Sequence, residues 1–260
     1  MPHDTSMRTI FVTGGGRGIG RAVALDLAKT SRASLVLVSR TDNCVAVAEQ
    51  CNAVRSGAAS AIPCDLSVAG PGRDELFAAM NAVTGPIGVV HAASTLGPTG
   101  PFVESSIDGI WDAIQANLGG TLRLVHAAIP RMVRERAGRV VLFGGGGAAY
   151  GYPNFMSYAL TKAALVRFVE TLAMEIGDDG PVIAIVAPGA NETDLLAEVR
   201  RAGGLVKTTV SIDEPCRLVR RLLLEDARGL HGRFVHVRDA WDPESALRLP
   251  KDHWKLRRVE

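Results

Sequence analysis

The chain predicts an α/β fold: a doubly wound, mostly parallel seven-stranded sheet with helices on both faces, in a single domain over residues 1–260. The core is expected at about 8–237, with a C-terminal tail at 240–260. Three observations predict this. Short, continuously apolar runs recur along the chain, and such runs mark strands buried on both faces, as in a parallel sheet. Helical patterns separate them, so the strands are joined by right-handed crossovers. A glycine-rich turn, Thr13-Gly-Gly-Gly-Arg-Gly-Ile-Gly20, follows the first apolar run directly.

The elements follow in order. Thr9-Ile-Phe-Val12 reads as the first strand, and Arg17 to Lys29 as a helix with Val23, Ala24, Leu27 and Ala28 turned inward. Leu35–Val38 is the second strand, followed by a helix over Cys44–Val54. A short third strand at Ala59–Pro63 precedes a helix around Asp74–Val83. Ile87–Val90 is the fourth strand, and one long helical stretch covers roughly Ile107–Arg134. Arg139–Phe143 is the fifth strand, with a helix from about Asn154 to Ile176. Val182–Ala187, a helix at Asp213–Leu224 and a strand at Arg233–Val237 complete a Rossmann-like pattern. Ser94–Pro101 and Ala190–Thr209 are the segments expected to move, and the tail from Ala240 is charged without a clear period.

Composition narrows the function classes. Hydrophobic residues make up 47% of the chain, enough for a substantial core. The 29 Lys+Arg nearly cancel the 27 Asp+Glu, for a net charge of +2. That excludes nucleic-acid binding driven by bulk charge. No run reaches the ~18 apolar residues of a membrane span, and Met1–Arg8 has no apolar leader segment. A cytoplasmic enzyme without membrane or nucleic-acid partners is expected. Cys44, Cys51, Cys64 and Cys216 lack Cys-x-x-Cys spacing and read as reduced thiols. The six histidines are scattered, and no metal is assigned.

The glycine turn is the first chemical feature. Glycine between strand and helix lets phosphates approach backbone N–H groups, and the helix N-terminus adds partial positive charge. The spacing is Thr-Gly-x-x-x-Gly-x-Gly through Gly14, Gly18 and Gly20, and dinucleotide binding is expected. Acidic residues at the end of the second strand favour a free ribose 2′-hydroxyl, whereas arginine favours a 2′-phosphate. Ser39-Arg40 stands there, with Arg17 inside the turn, so the expected cofactor is NADP(H). Asp65 reads as an acceptor for the adenine amino group or as a cap.

The second feature is Tyr158-Ala-Leu-Thr-Lys162. Residues four apart share a helix face. A phenol, with a pKa of about 10, donates poorly at neutral pH, and a neighbouring ammonium is expected to lower that value. Tyr158 would then exchange a proton with a carbonyl oxygen, and Lys162 would assist it.

Together these motifs resemble the short-chain dehydrogenase/reductase family, in its compact single-domain form, over about Arg8 to Val237. The resemblance assigns Thr13, Gly14, Gly16, Arg17, Gly18, Ile19 and Gly20 to the cofactor turn. It makes Asp65-Leu66 the adenine site and places Ala92 on the cofactor path. Asn117 becomes the helix asparagine that helps to place a water by the lysine, with Tyr158 and Lys162 as the acid–base pair. Pro188, Gly189 and Thr193 match a segment beside the nicotinamide. The family's Asn-Asn-Ala-Gly is His91-Ala-Ala-Ser94 here. Its usual serine, thirteen residues before the tyrosine, is Gly145. Three explanations stay open. A hydroxyl from Ser94, Thr95, Tyr150, Tyr152 or Ser157 replaces it; the glycine run leaves room for a substrate group or water; or the chain binds NADP(H) and reduces carbonyls poorly. If the oxygen is simply undersupported, Gly145→Ser should raise turnover.

The resemblance implies hydride transfer between NADP(H) and a carbonyl or secondary alcohol of a small molecule. The alternative is an NADP(H)-binding regulatory or scaffold protein with weak or lost chemistry. It also implies a homodimer or homotetramer, with the helices around 107–134 and 154–176 at one interface. Arg200, Arg201 and Lys207 are either a solvated helix face or a greeting for an anionic substrate. Trp241, Trp254 and Leu256 are expected to pack on the same subunit or a neighbour.

Overall fold

The computed structural model describes residues 7–256. The leader reading at residues 1–6 and the end of the tail at 257–260 lie outside the described residues. The described residues form a seven-stranded sheet in the order β3-β2-β1-β4-β5-β6-β7. Its strands are β1 (Thr9–Thr13), β2 (Ser34–Ser39), β3 (Ala59–Pro63), β4 (Ile87–His91), β5 (Arg139–Phe143), β6 (Val182–Ala187) and β7 (Phe234–His236). All six pairings are parallel.

Every residue of β1, β4, β5 and β6 is buried, which is why their sequences carry no polar alternation. Ile10, Val12, Leu35 and Leu37 face one core layer with α1 (Gly18–Thr30), α2 (Asn43–Val54) and Leu218, Val219 and Leu222 of a later helix, Asp213–Leu224. Phe11, Val89, Val140 and Leu142 face the other, with α3 (Pro71–Ala82) and the helices at 120–135 and 156–176. Burying a large aliphatic side chain contributes roughly 1.5–3 kcal/mol, so these two layers hold the doubly wound arrangement. The chain reverses its winding between β1 and β4. An open parallel sheet has its crevice at the carboxyl ends of such a pair.

The expected single helix over 107–134 is broken. It is α4 (Ile107–Ile114), a π turn (Gln115–Gly119), and α5 (Gly120–Glu135). Gly119-Gly120 weaken the helix locally, and Thr121 Oγ1 donates to the Asn117 carbonyl within the turn. Such bulges recur at functional sites. One short helix was not anticipated, α6 (Gly146–Ala149) in the glycine run; the helix face read around Arg200 is α8 (Asp194–Arg201), where Thr193 Oγ1 accepts from Leu196 N–H at 3.4 Å. Between them, α7 runs Met156–Ile176, and α9 is Asp213–Leu224. β7 is shorter than the run 233–237.

The tail folds back on its own chain. A short α10 (Pro243–Leu247) begins at a capping box made by Asp242 and Ser245. The buried Arg233 guanidinium donates to the carbonyls of Gly229, Leu249, Pro250 and His253. Phe234 N–H donates to the Trp254 carbonyl at 2.8 Å, and Leu256 N–H reaches Glu170 at 2.6 Å. Trp241 is buried beneath Arg221, whose guanidinium carbon lies 4.1 Å from the ring centroid.

Candidate active site

The turn after β1 packs against the end of β4 and against itself. Gly14 has φ +69°, and a Cβ there would lie 2.5 Å from the Ala93 nitrogen. A Cβ at Gly20 would lie 2.2 Å from the Gly14 carbonyl oxygen. No side chain fits either place, so the start of α1 stays open to an incoming phosphate.

A cleft of about 410 Å³ opens at the β1/β4 reversal. Thr13, Gly14, Gly16, Arg17, Gly18 and Ile19 form its floor at the turn. Arg40 borders it at the end of β2, and Asp65 and Leu66 border it after β3. Ala92, Ser94, Asn117 and Thr193 complete the wall. The cleft lining does not include Gly20, Pro188 or Gly189, nor Gly145, Tyr150, Tyr152, Tyr158 or Lys162. Gly20 lies behind the turn, and Gly189 packs toward Val210 just past β6. Arg17 pairs with Asp194 at 3.6 Å, with both side chains exposed. Such a surface pair contributes little, about 0–1 kcal/mol, so Arg17 is available to a phosphate. Asp65 Oδ1 accepts from Ser67 N–H at 2.8 Å and from Ser67 Oγ at 2.6 Å. It organises its own loop and caps no helix, since α3 begins at Pro71.

Asn117 sits in the π turn with its amide fully engaged. Oδ1 accepts from Thr95 N–H at 2.8 Å and Ser94 Oγ at 3.2 Å. Nδ2 donates to the Thr95 carbonyl at 2.8 Å and Thr161 Oγ1 at 3.2 Å. These four bonds exhaust the amide's capacity. The side chain therefore ties the loop after β4 to α7, and it engages the Ser94 hydroxyl.

Tyr158 and Lys162 lie one turn apart on α7, with Nζ 5.5 Å from the phenol ring centroid. Lys162 is 4% exposed and donates to the Phe143 carbonyl at 2.9 Å. Burial pulls its pKa down to about 8. Burial also pushes the Tyr158 phenol up to about 12, and the nearby Tyr152 adds to this. Among the chain's own groups, desolvation of the phenolate therefore outweighs the cation, opposite to the expected lowering.

Gly145 does face the phenol. A Cβ built there lies 3.0 Å from Tyr158 Oη. Its φ of 167° is extended backbone, open to any residue. The glycine therefore leaves no vacancy along its own side-chain direction: the Tyr158 hydroxyl occupies it, and a serine there would press on that oxygen. Space is open at Gly146, where a Cβ would meet nothing within 4 Å. Tyr150 is 79% exposed, whereas Tyr152 stacks on Phe155 with centroids 4.6 Å apart. In the segment 190–209, Arg200 forms two 2.7 Å bonds to Glu192, and both side chains are exposed. Arg200 and Arg201 thus lie exposed on α8, and Lys207 is exposed beyond its end.

Sequence reasoning missed His91. It lies on β4 beside Thr13, bonded through Nδ1 to Thr13 Oγ1. Nε2 is buried without a protein partner among the described residues. Burial, then Lys162, pulls its pKa down to about 3, so the ring is neutral. The only signal in the sequence was a histidine ending an otherwise apolar strand. Among the described residues, no three His, Cys, Asp or Glu side chains gather as a metal site, and no helix is long and apolar enough to cross a membrane.

Comparison with known proteins agrees with this geometry. The family described as short chain dehydrogenase matches residues 8–203. The 3-oxoacyl-(acyl-carrier-protein) reductase FabG of Escherichia coli K12 is 27% identical over 235 residues, covering 87% of this chain and 94% of that protein. The short-chain reductase protein NovJ of Streptomyces niveus is 33% identical over 196 residues, covering 75% and 73%. A short chain dehydrogenase from Shigella flexneri, solved in complex with NADP, superposes with a TM-score of 0.81 at 24% identity, covering 91% of this chain and 99% of the other. With a parallel sheet wound in this order, a glycine cradle at its reversal and a tyrosine–lysine pair beside it, the chain belongs to the short chain dehydrogenase family of nicotinamide-dependent oxidoreductases.

Proposed function

We propose that this protein transfers hydride between NADP(H) and a carbonyl or secondary alcohol of a small organic molecule. The observation that carries the reading is Tyr158 with its buried lysine, the hydroxyl lying against Gly145. The chain's residues fit the cofactor. Gly14, Gly16 and Gly18 line the cleft at the start of α1, and Arg17 and Arg40 bring positive charge to its rim. Arg40 at the end of β2 would meet an adenosine 2′-phosphate; Gly14, Gly16 and Gly18 would hold the pyrophosphate. Ala92, Pro188, Gly189 and Thr193 would flank the nicotinamide. A bound nicotinamide supplies or accepts the hydride. The chain handles the proton: Tyr158 gives it to the substrate oxygen in reduction and takes it back in oxidation. The Lys162 ammonium supports the phenolate left behind, and Asn117 fixes the loop and α7 relative to each other.

Arg40 should decide cofactor choice. Arg40→Asp is expected to weaken NADPH by about 10- to 100-fold, the worth of a charge-assisted hydrogen bond, and to improve NADH. Fluorescence titration with both cofactors measures this; an unchanged preference removes Arg40 from the site.

A second reading, an NADP(H)-binding regulatory protein with weak chemistry, draws on Gly145 alone. NADPH binding by fluorescence, followed by loss of 340 nm absorbance with a panel of ketones, separates the two. Binding without turnover favours the second. We also propose a homodimer or homotetramer, because Trp111 and Leu122 on α4 and α5, and Leu160 and Met174 on α7, expose apolar surface. Light scattering that finds only monomer would refute it.

A further inference from the structure

With glycine at 145, a second donor to the substrate oxygen must come from elsewhere. Ser157 is spent, since its buried hydroxyl donates to the Leu96 carbonyl at 3.0 Å. The Ser94 hydroxyl donates to Asn117, the Thr95 hydroxyl accepts from Gly97 N–H at 3.3 Å within the cofactor cleft, and Tyr150 projects into solvent. Tyr152 is different. Its ring is fixed by stacking on Phe155, which is itself buried. A Cβ at Gly147 would lie 3.6 Å from Tyr152 Cδ1, just as one at Gly145 would lie 3.0 Å from Tyr158 Oη. The Tyr152 ring and the Tyr158 hydroxyl thus rest against one glycine segment, and both side chains pack against one apolar cluster of Leu96, Phe155 and Val199. Among the described residues, neither hydroxyl has a hydrogen-bond partner. The two feel each other, because Tyr152 helps to push Tyr158 upward. Burial also raises Tyr152, so it keeps its proton at neutral pH.

We propose that Tyr152 donates the second hydrogen bond to the substrate's carbonyl oxygen, in the place of a serine at 145, so that the oxygen is held between two phenols. This rests on the reductase reading above. In reduction, a bound NADPH would supply the hydride, its own C–H bond breaking to leave NADP⁺ as the new C–H bond forms and the carbonyl π pair moves onto oxygen. The Tyr158 O–H breaks to form the alcohol O–H, while the Tyr152 O–H stays intact and donates throughout. The side chains packed around the two phenols are apolar, which fits a ketone carrying an aryl or alkyl group and not a second charge.

Tyr152→Phe tests this while keeping the stack on Phe155. NADPH affinity by fluorescence should stay within twofold of the parent. With 9,10-phenanthrenequinone and a panel of aryl ketones, kcat should fall about 10²-fold, the usual loss of one oxyanion donor, with KM little changed. Turnover within twofold of the parent overturns the Tyr152 assignment and leaves the reductase reading standing. Absence of turnover in the parent itself, on every carbonyl, sinks both. A second measurement needs no turnover. The chain has three tyrosines, so 3-fluorotyrosine labelling gives three ¹⁹F signals, assigned by single Phe variants at Tyr150, Tyr152 and Tyr158. Saturating acetophenone should move the signals of Tyr152 and Tyr158 together and leave that of Tyr150 in place. A shift at Tyr158 with Tyr152 unmoved overturns the proposal, and no shift at either counts against the reductase reading.

Discussion

Tyr158→Phe is expected to reduce ketone turnover by about 10³-fold while leaving NADPH affinity nearly unchanged. A positioned general acid contributes about 10²–10⁴-fold, and the Tyr158 hydroxyl is the nearest atom to a Cβ at Gly145. The phenyl ring keeps the packing against Leu96 and Phe155, so stability should hardly move. The pH profile carries a second signature. Burial holds Tyr158 protonated up to about 12 and pulls Lys162 down to about 8. The ammonium that supports the departing proton is therefore present below pH 8 and lost above it. Reduction should fall tenfold per pH unit on the alkaline side of about pH 8. Lys162→Met should lower the plateau and remove that limb. Retained turnover in Tyr158→Phe would take the phenol out of its role, and an alkaline limb surviving in Lys162→Met would assign the titration to another group.

Gly20→Ala is expected to lower the melting temperature by about 5–10 °C and to weaken NADPH more than tenfold. By helix propensity alone, alanine in α1 should stabilise by about 1 kcal/mol. The position decides otherwise, because the added methyl would stand 2.2 Å from the Gly14 carbonyl oxygen and 2.7 Å from its carbon. Both are backbone atoms of the cradle, so relief requires the turn itself to move. Overpacking of this kind costs about 1–3 kcal/mol, or about 2–4 °C for each kcal/mol in a chain of this size. Gly70→Ala is the control: it precedes α3 in extended backbone, and a Cβ there meets nothing within 4 Å. Differential scanning fluorimetry with and without NADPH compares the two. Equal behaviour would show that Gly20 is not needed for the turn.

The strands and their order of appearance were legible in the sequence because double burial leaves apolar runs that a reader can count. The glycine turn and the tyrosine–lysine pair were legible because their chemistry is local, set by spacing along one element. What escaped reading was set by contacts across the fold. A stretch such as 107–134 keeps helical periodicity whether or not one residue is squeezed into a wider turn, so the π turn at Asn117 had no signature beyond two weak helix formers after it. The four bonds of the Asn117 amide reach residues 22, 23 and 44 positions away. The electrostatics of the pair were misjudged for the same reason. Spacing brings Lys162 to Tyr158, but the neighbours that bury both belong to other elements. The partnerless nitrogen of His91 was equally invisible, since it depends on strands β1 and β4 lying side by side.

The staple between Arg233 and the tail has a consequence for how copies meet. With the Phe234 N–H already donated to the Trp254 carbonyl, the last strand has surrendered a donor that an incoming strand would need. Continuous sheets running from one subunit into the next are thereby disfavoured at this border.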